Sequence, residues 1–348
     1  MRKPTRIALA TAAAGALSVV GITAAGASTA YPQVIRPAAR FDAAGQFAPY
    51  VDMSNSAAGM LDTAITDHGV KTYTAAFTIG AGCNNIWGDT LPVGDDPYTD
   101  PKIAKAKAEG ADVIISSGGA SGEPLAFTCT DQSKIDAGYQ KEITAYGAKS
   151  LDFDIEGAAV ADTAGVARQM TAIKDLKAKN SGLTASVTLP VLPTGLTADG
   201  VNVLKAAKTA GVTLDNVNIM TMDYGQGTGT DMGAAAISAS KATLAQMQSV
   251  DPSYTYANLG ITPMIGVNDD GSTFSLADAA SVASWAASNG VGRMSHWSVS
   301  RDQACNSAAK AAAKGGMDAA RTIKAAASPV CSGVSQSPFA FTDALSKG

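Results

Sequence analysis

The sequence predicts an α/β fold, a (β/α)8 TIM barrel in a single domain, on three observations. Short apolar runs rich in β-branched residues alternate with alanine-rich helical patterns over about 300 residues, which calls for a parallel sheet. The alternation occurs eight times, the number at which such a sheet closes on itself. The run after the first strand, Ser54-Asn-Ser-Ala-Ala-Gly-Met60, is neither a G-x-G-x-x-G nor a Walker loop, which argues against an open doubly wound sheet. Composition agrees: 348 residues, 46% hydrophobic and 16% charged with a net charge of −4, exclude disordered, collagenous and polytopic membrane classes.

Taken in order, residues 1–30 read as a secretory signal. Arg2, Lys3 and Arg6 precede an apolar stretch from Ile7 to about Ala25, and small residues place cleavage after Ala27 or Ala30. Residues 31–46 form a short lead-in, and 47–348 the barrel. Strands are expected at Tyr50–Met53, Thr72–Ile79, Val113–Ser117, Leu151–Glu156, Thr184–Leu189, Val217–Asp223, Leu259–Ile265 and Arg293–Val299. Helices are expected at Ala57–His68, Pro101–Gly110, Gln132–Tyr146, Gly165–Lys179, Gly200–Ala210, Gly233–Ser249, Ala277–Ser288 and Asn306–Ala327. Asp162, Asp231 and Ser275 stand at N-cap positions, while Gly69, Gly147, Gly211 and Gly290 follow helices as C-terminal glycines do.

Removal of the signal leaves 23 basic and 30 acidic residues, a net charge of −7, with no concentrated positive field to collect phosphates. Nucleic acid is therefore excluded as a partner, a neutral or cationic polymer suits the surface better, and a secreted monomer free of the membrane after cleavage is expected. The four cysteines fit an oxidising destination. Three pairings are open; local proximity favours Cys83 with Cys129 and Cys305 with Cys331, each worth roughly 3 to 4 kcal/mol in the chain-entropy model. Zinc is disfavoured, because there is no C-x-x-C and His68 and His296 lie far from the cysteines.

The fourth strand carries the chemistry. In Lys149-Ser-Leu-Asp-Phe-Asp-Ile-Glu-Gly157 the period of two puts Asp152, Asp154 and Glu156 on one face and Leu151, Phe153 and Ile155 on the other. The apolar set belongs under the helices, so the carboxylates line the interior. Three buried like charges are tolerated only when some are protonated and hydrogen-bonded, which raises at least one pKa. Glu156 closes the row at the C-terminal end of its strand, where barrel enzymes keep their sites, and is suited to act as a general acid. Carboxylates alone could suit Mg or Mn, but further ligands are not evident nearby, so no metal and no cofactor are expected.

These residues resemble glycoside hydrolase family 18, the chitinase and endo-N-acetylglucosaminidase family, whose fourth strand reads D-x-x-D-x-D-x-E. Asp152, Asp154 and Glu156 match the last three acidic positions, and Lys149 stands where the first Asp would be. Ser116-Ser117-Gly118-Gly119 is similar to the family's third-strand S-x-G-G, and Met220-Thr-Met-Asp-Tyr-Gly225 to its sixth-strand M-x-Y-D, with Asp223 as the acid, Met222 in place of the tyrosine and Tyr224 as a substitute hydroxyl. Trp297 matches the tryptophan that floors the sugar pocket. The resemblance spans about residues 48 to 300.

It implies a secreted chitinase that cleaves β-1,4 linkages between N-acetylglucosamine units with retention. The substrate's own acetamido carbonyl attacks the anomeric carbon, an exception to the two-carboxylate scheme. Glu156 is then the acid, Asp154 orients the acetamido group, and Asp152 shares a proton with Asp154. Substrate contacts are expected from Asp223, Tyr224, Met222, Trp297, Trp87, Phe77 and Ser117. N-glycan chitobiose cores are an alternative substrate, and a non-hydrolytic chitin-binding barrel is an alternative function. Trp87, Phe77 and Tyr98 offer flat apolar faces to sugar rings, whereas Trp285 and His296 read as packing and His68 as a helix-end residue.

Overall fold

A computed structural model of the chain describes residues 45–55, 57–88, 90–305 and 327–347. The expected signal, almost all of the lead-in, and all but the last residue of the helix expected at Asn306–Ala327 lie outside the described residues.

All eight expected strands form. The first comes in two pieces, Gln46–Phe47 and Tyr50–Asp52, followed by Thr72–Ala81, Asp112–Gly118, Ser150–Asp154, Thr184–Leu192, Asn216–Met220, Leu259–Thr262 and Arg293–Met294. Each pairs in parallel with its sequence neighbours. The ring closes through the first strand: Gln46–Phe47 pairs with Arg293–Met294 on one side, and Tyr50–Asp52 with the second strand on the other. The break falls at Pro49, which has no N–H to give, although its carbonyl still accepts from Thr74 N at 2.9 Å. The seventh strand stops at Thr262 before Pro263 for the same reason, and the ladder continues past the eighth through Trp297 N to the Pro263 carbonyl, 2.9 Å.

The described helices cover the ring where expected, and most of their ends carry the expected chemistry; the exception is Gly69, since Met60–Thr66 ends on Asp67, two residues earlier. Asp162, Asp231 and Ser275 accept from the first-turn amides of Thr163–Lys179, Met232–Val250 and Leu276–Asn289. Gly147, Gly211 and Gly290 hold left-handed C-caps. Between helices and strands lies the apolar core, to which the outer face of each strand contributes, such as Leu151, Phe153 and Ile155, all buried. Phe153 meets Tyr139 of Gln132–Tyr146 edge-on at 5.0 Å.

The inside of the ring is unlike that core. Ser116, Asp152, Ser186, Thr188, Asn218, Thr262 and Arg293 point inward and bond to one another. A polar interior is sustainable only because its groups find partners across the ring. Both disulfides form as proximity suggested, Cys83–Cys129 and Cys305–Cys331. The first pins a short strand, Asn84–Trp87, that folds back antiparallel on the second strand.

Candidate active site

The acidic row lies as the strand period requires. Asp152 is fully buried and accepts four hydroxyls: Tyr50 at 2.9 Å, Ser116 at 2.8 Å, Ser186 at 2.5 Å, and Thr188 at 2.9 and 3.0 Å to its two oxygens. Asn218 Nδ2 supports Tyr50 and Thr188 from behind, at 3.2 and 3.0 Å. Asp154, one step up, is hydrogen-bonded to Glu156, so the carboxyl pair placed to share a proton in this structure is Asp154 with Glu156. The reason is that Asp152 is already saturated by hydroxyls. One oxygen of Asp154, Oδ1, is buried with no donor to it among the described residues.

Glu156 sits two residues beyond the strand end, still extended at φ −124° and ψ 169°. Burial pushes its carboxyl up to about 7, and the nearby Asp223 charge adds to that, while the bond from Asp154 pulls the other way. Asp154 is held well above the carboxylate range by burial first, then by the charges of Glu156 and Asp152. A protonated acid at neutral pH beside a second carboxyl is the arrangement that general acid catalysis needs.

Above the row opens a pocket of about 230 Å³. Its floor is aromatic: Phe77 and Trp297 stack at 5.5 Å and 18°, with Tyr50 tilted against both. Two glycines make room for this. A Cβ on Gly118, at φ +117°, would lie 2.0 Å from the Asp154 carbonyl, and one on Gly119, at φ +86°, 2.7 Å from the Phe77 ring. The S-x-G-G segment therefore lets the third strand press against both the catalytic strand and the floor.

Met222 and Asp223 both line the pocket although they are adjacent. Asp223 adopts φ +48°, a left-handed conformation that aspartate tolerates better than most residues and that breaks the alternation after Met220. Its Oδ1 accepts from Asp270 N at 3.1 Å, and its own N–H donates to Asn268 at 3.3 Å. Burial raises its carboxyl too.

Four expected contacts are corrected. Tyr224 is buried in the outer core, its phenol raised by burial, and does not line the pocket, because the turn at Asp223 carries it outward. Ser117 also faces outward, toward Tyr139, and its neighbour Ser116 is the serine that reaches Asp152. Trp87 is 1% exposed and donates Nε1–H to Tyr146 Oη at 2.7 Å; the fold-back of Asn84–Trp87 buries it under a helix. Tyr98 is 67% exposed and does not line the pocket either. His296 is packing, buried with Nε2 3.1 Å from Thr342 Oγ1, and burial drops its pKa to about 3. His68 stacks on Phe339 and pairs with Asp343 at 3.1 Å.

Residues missed from the sequence also reach the site. Tyr50, Thr188 and Thr262 come from strands with no motif, and Asp52 and Asp269 add carboxylates to the pocket wall. Arg301, 1% exposed, holds the carbonyls of Ile265 and Val267 at 3.0 and 2.7 Å and that of Ser328. It thereby fastens the segment before Cys331 as a further wall. Only Tyr50 carried a legible signal, an aromatic on the inward face of the first strand.

No family model matches the chain. Curated relatives do: a probable bifunctional chitinase/lysozyme of Escherichia coli is 37% identical over 277 residues, and Endochitinase 11 of Metarhizium anisopliae is 37% identical over 274 residues, each over 74% of this chain. The chain spans 31% and 52% of their lengths. Among solved structures, active domain 2 of a chitinase from Pyrococcus furiosus has 28% identity and a TM-score of 0.74 over 87% of this chain and 94% of that one. A GH18 chitinase from Pseudoalteromonas aurantia, at 14% identity and a TM-score of 0.54 over 73% of this chain and 94% of that one, shares the fold. Sequence identity, barrel and acidic row agree with one another, and the chain resembles the chitinases of glycoside hydrolase family 18.

Proposed function

We propose that this protein is a secreted chitinase that hydrolyses β-1,4 linkages between N-acetylglucosamine units with retention of configuration. The observation that carries the reading is the inward row Asp152–Asp154–Glu156, ending under an aromatic-floored pocket with a glutamate raised to about 7. The relatives named as chitinases support the same substrate class. The paired disulfides and the charged-then-apolar N-terminus support export.

The chemistry follows from the geometry. A sugar ring lies with its apolar face on Trp297 and Phe77. Glu156 gives its proton to the leaving oxygen as the glycosidic bond breaks, and the substrate's acetamido carbonyl oxygen bonds to the anomeric carbon. The buried, unpartnered Oδ1 of Asp154 receives the acetamido N–H and balances the positive charge that develops there. Glu156, now a carboxylate, takes a proton from water, which attacks the anomeric carbon from the face the leaving group left as the bond from that carbon to the acetamido oxygen breaks and restores the neutral acetamido group. Met222 and Asp223 bound the acetamido group on the far side. The pocket volume, about 230 Å³, suits one sugar residue, and the rest of the polymer runs along the rim.

The test is product analysis on soluble N-acetylglucosamine oligomers with anomer-resolved detection, wild type beside Glu156→Gln. Early β-anomer that vanishes in the variant supports the reading. Early α-anomer overturns retention. Binding without cleavage by the wild type overturns the hydrolase, and cleavage confined to N-glycan cores overturns the chitin assignment.

A further inference from the structure

We propose that Arg293 is a positioning residue of the catalytic row: from the floor of the barrel, through Ser186, it holds Asp152 as the fixed anion above which Asp154 and Glu156 share their proton. Arg293 lies on the eighth strand, 7% exposed, paired with Gln46 on one side and Gly260 on the other. Its Nη1 donates to Ser186 Oγ at 2.9 Å, which leaves the serine hydrogen to point at Asp152 Oδ1, 2.5 Å away. The other donors to Asp152, from Tyr50, Ser116 and Thr188, are neutral hydroxyls. Neutral donors alone do not repay the burial of a full charge, and a cation one hydroxyl away does much of the remainder.

Lys149 does not supply that cation. Its side chain is 80% exposed and lies 3.7 Å from the surface Asp112, outside the barrel interior. The titratable and charged groups around Asp152 are Tyr50 from the first strand, Asp154 from its own strand, and Arg293 behind Ser186. Tyr50 is kept protonated by burial and by the two aspartates. Arg293 is the cation of that set, and it also acts on Tyr50.

This inference rests on the reading of Glu156 as the acid, and the experiment separates the two. The pH dependence of kcat/KM on an N-acetylglucosamine oligomer is measured for wild type, Arg293→Gln, Arg293→Lys and Ser186→Ala. Loss of a positive charge raises the proton affinity of every carboxylate around it, so in Arg293→Gln both limbs move to higher pH, the acidic limb by about one unit. Arg293→Lys retains most of the wild-type profile, and Ser186→Ala shifts it less, in the same sense. A folded Arg293→Gln whose limbs superimpose on the wild type overturns the proposal. Thermal unfolding of Arg293→Gln, Asp152→Asn and the double variant gives an answer that does not need activity. Asp152→Asn should recover at least half of the Tm lost in Arg293→Gln, and strictly additive losses overturn the proposal even where the wild type turns over no chitin.

Discussion

Two glutamates in this barrel are raised to about 7, both chiefly by desolvation, and only one belongs to the site. Glu142 projects from Gln132–Tyr146 into the layer outside the sheet, where Oε1 accepts from Thr78 Oγ1 at 2.6 Å and Asn85 Nδ2 at 2.7 Å. It is fully buried among core residues, with no opening toward the pocket lining. Glu156 is half-buried, bonded to Asp154, and faces the pocket with Asp223 across from it. A raised carboxyl thus reports desolvation and does not by itself mark a site. A site needs in addition a second carboxyl to exchange the proton with and a space in which a substrate atom can receive it.

The sharpest way to break this comparison is to neutralise each glutamate. Glu156→Gln should lower kcat by about 10³-fold on N-acetylglucosamine oligomers, because the amide keeps the shape and loses the proton. Substrate affinity should hold, as calorimetry on the inactive variant would measure. In the wild type the acid form prevails below about 7, so kcat/KM should fall as pH rises through that value. A basic limb near the ordinary glutamate range would place the donor elsewhere.

Asp154→Asn ranks next, at about 10²-fold in kcat. The amide still fits between the strands but carries no charge to balance the acetamido cation. Single-turnover kinetics should show the loss before product release, and a loss confined to KM would make Asp154 a binding group only.

Glu142→Gln should leave turnover within a factor of two and change stability instead. The folded state holds the Glu142 proton up to about 7, while the unfolded chain releases it near 4.5. Its contribution to stability is therefore complete below about 4.5 and is lost as pH rises through about 7. Relative to wild type, the variant should gain roughly 3 kcal/mol between pH 4.5 and pH 8. Urea unfolding at the two pH values reads this directly, and a constant difference would mean that Glu142 is ionised in the fold.

What could be read without coordinates was whatever repeats at short range. The eight strands follow from local apolar runs, and the inward set Asp152, Asp154 and Glu156 follows from a period of two. The same period distinguishes Ser116, which reaches Asp152, from Ser117, which faces outward, whereas the S-x-G-G motif spans both and does not. Tyr224 and Trp87 failed for longer-range reasons: a left-handed Asp223 turns one outward, and a disulfide-pinned hairpin carries the other under a helix. Arg293 and Arg301 were invisible because a lone arginine on a strand or loop says nothing until the ring brings it beneath Ser186 or against the Ser328 carbonyl.

The smallest expected effect tests the floor of the barrel. The family motif places an aspartate where this chain has Lys149, and the sequence comparison alone suggests a detuned Asp152. The geometry argues otherwise, since Lys149 points to solvent beside Asp112 and the charge beneath Asp152 comes from Arg293. Lys149→Asp exchanges an exposed ion pair for an exposed repulsion, an effect of about 0.5 kcal/mol that salt would screen. The pH profile of kcat/KM should superimpose on that of the wild type, and Tm should move less at 1 M than at 0.05 M salt. A shift of the acidic limb in Lys149→Asp as large as that in Arg293→Gln would show that the first motif position still communicates with Asp152, and that two cations share the role assigned to one.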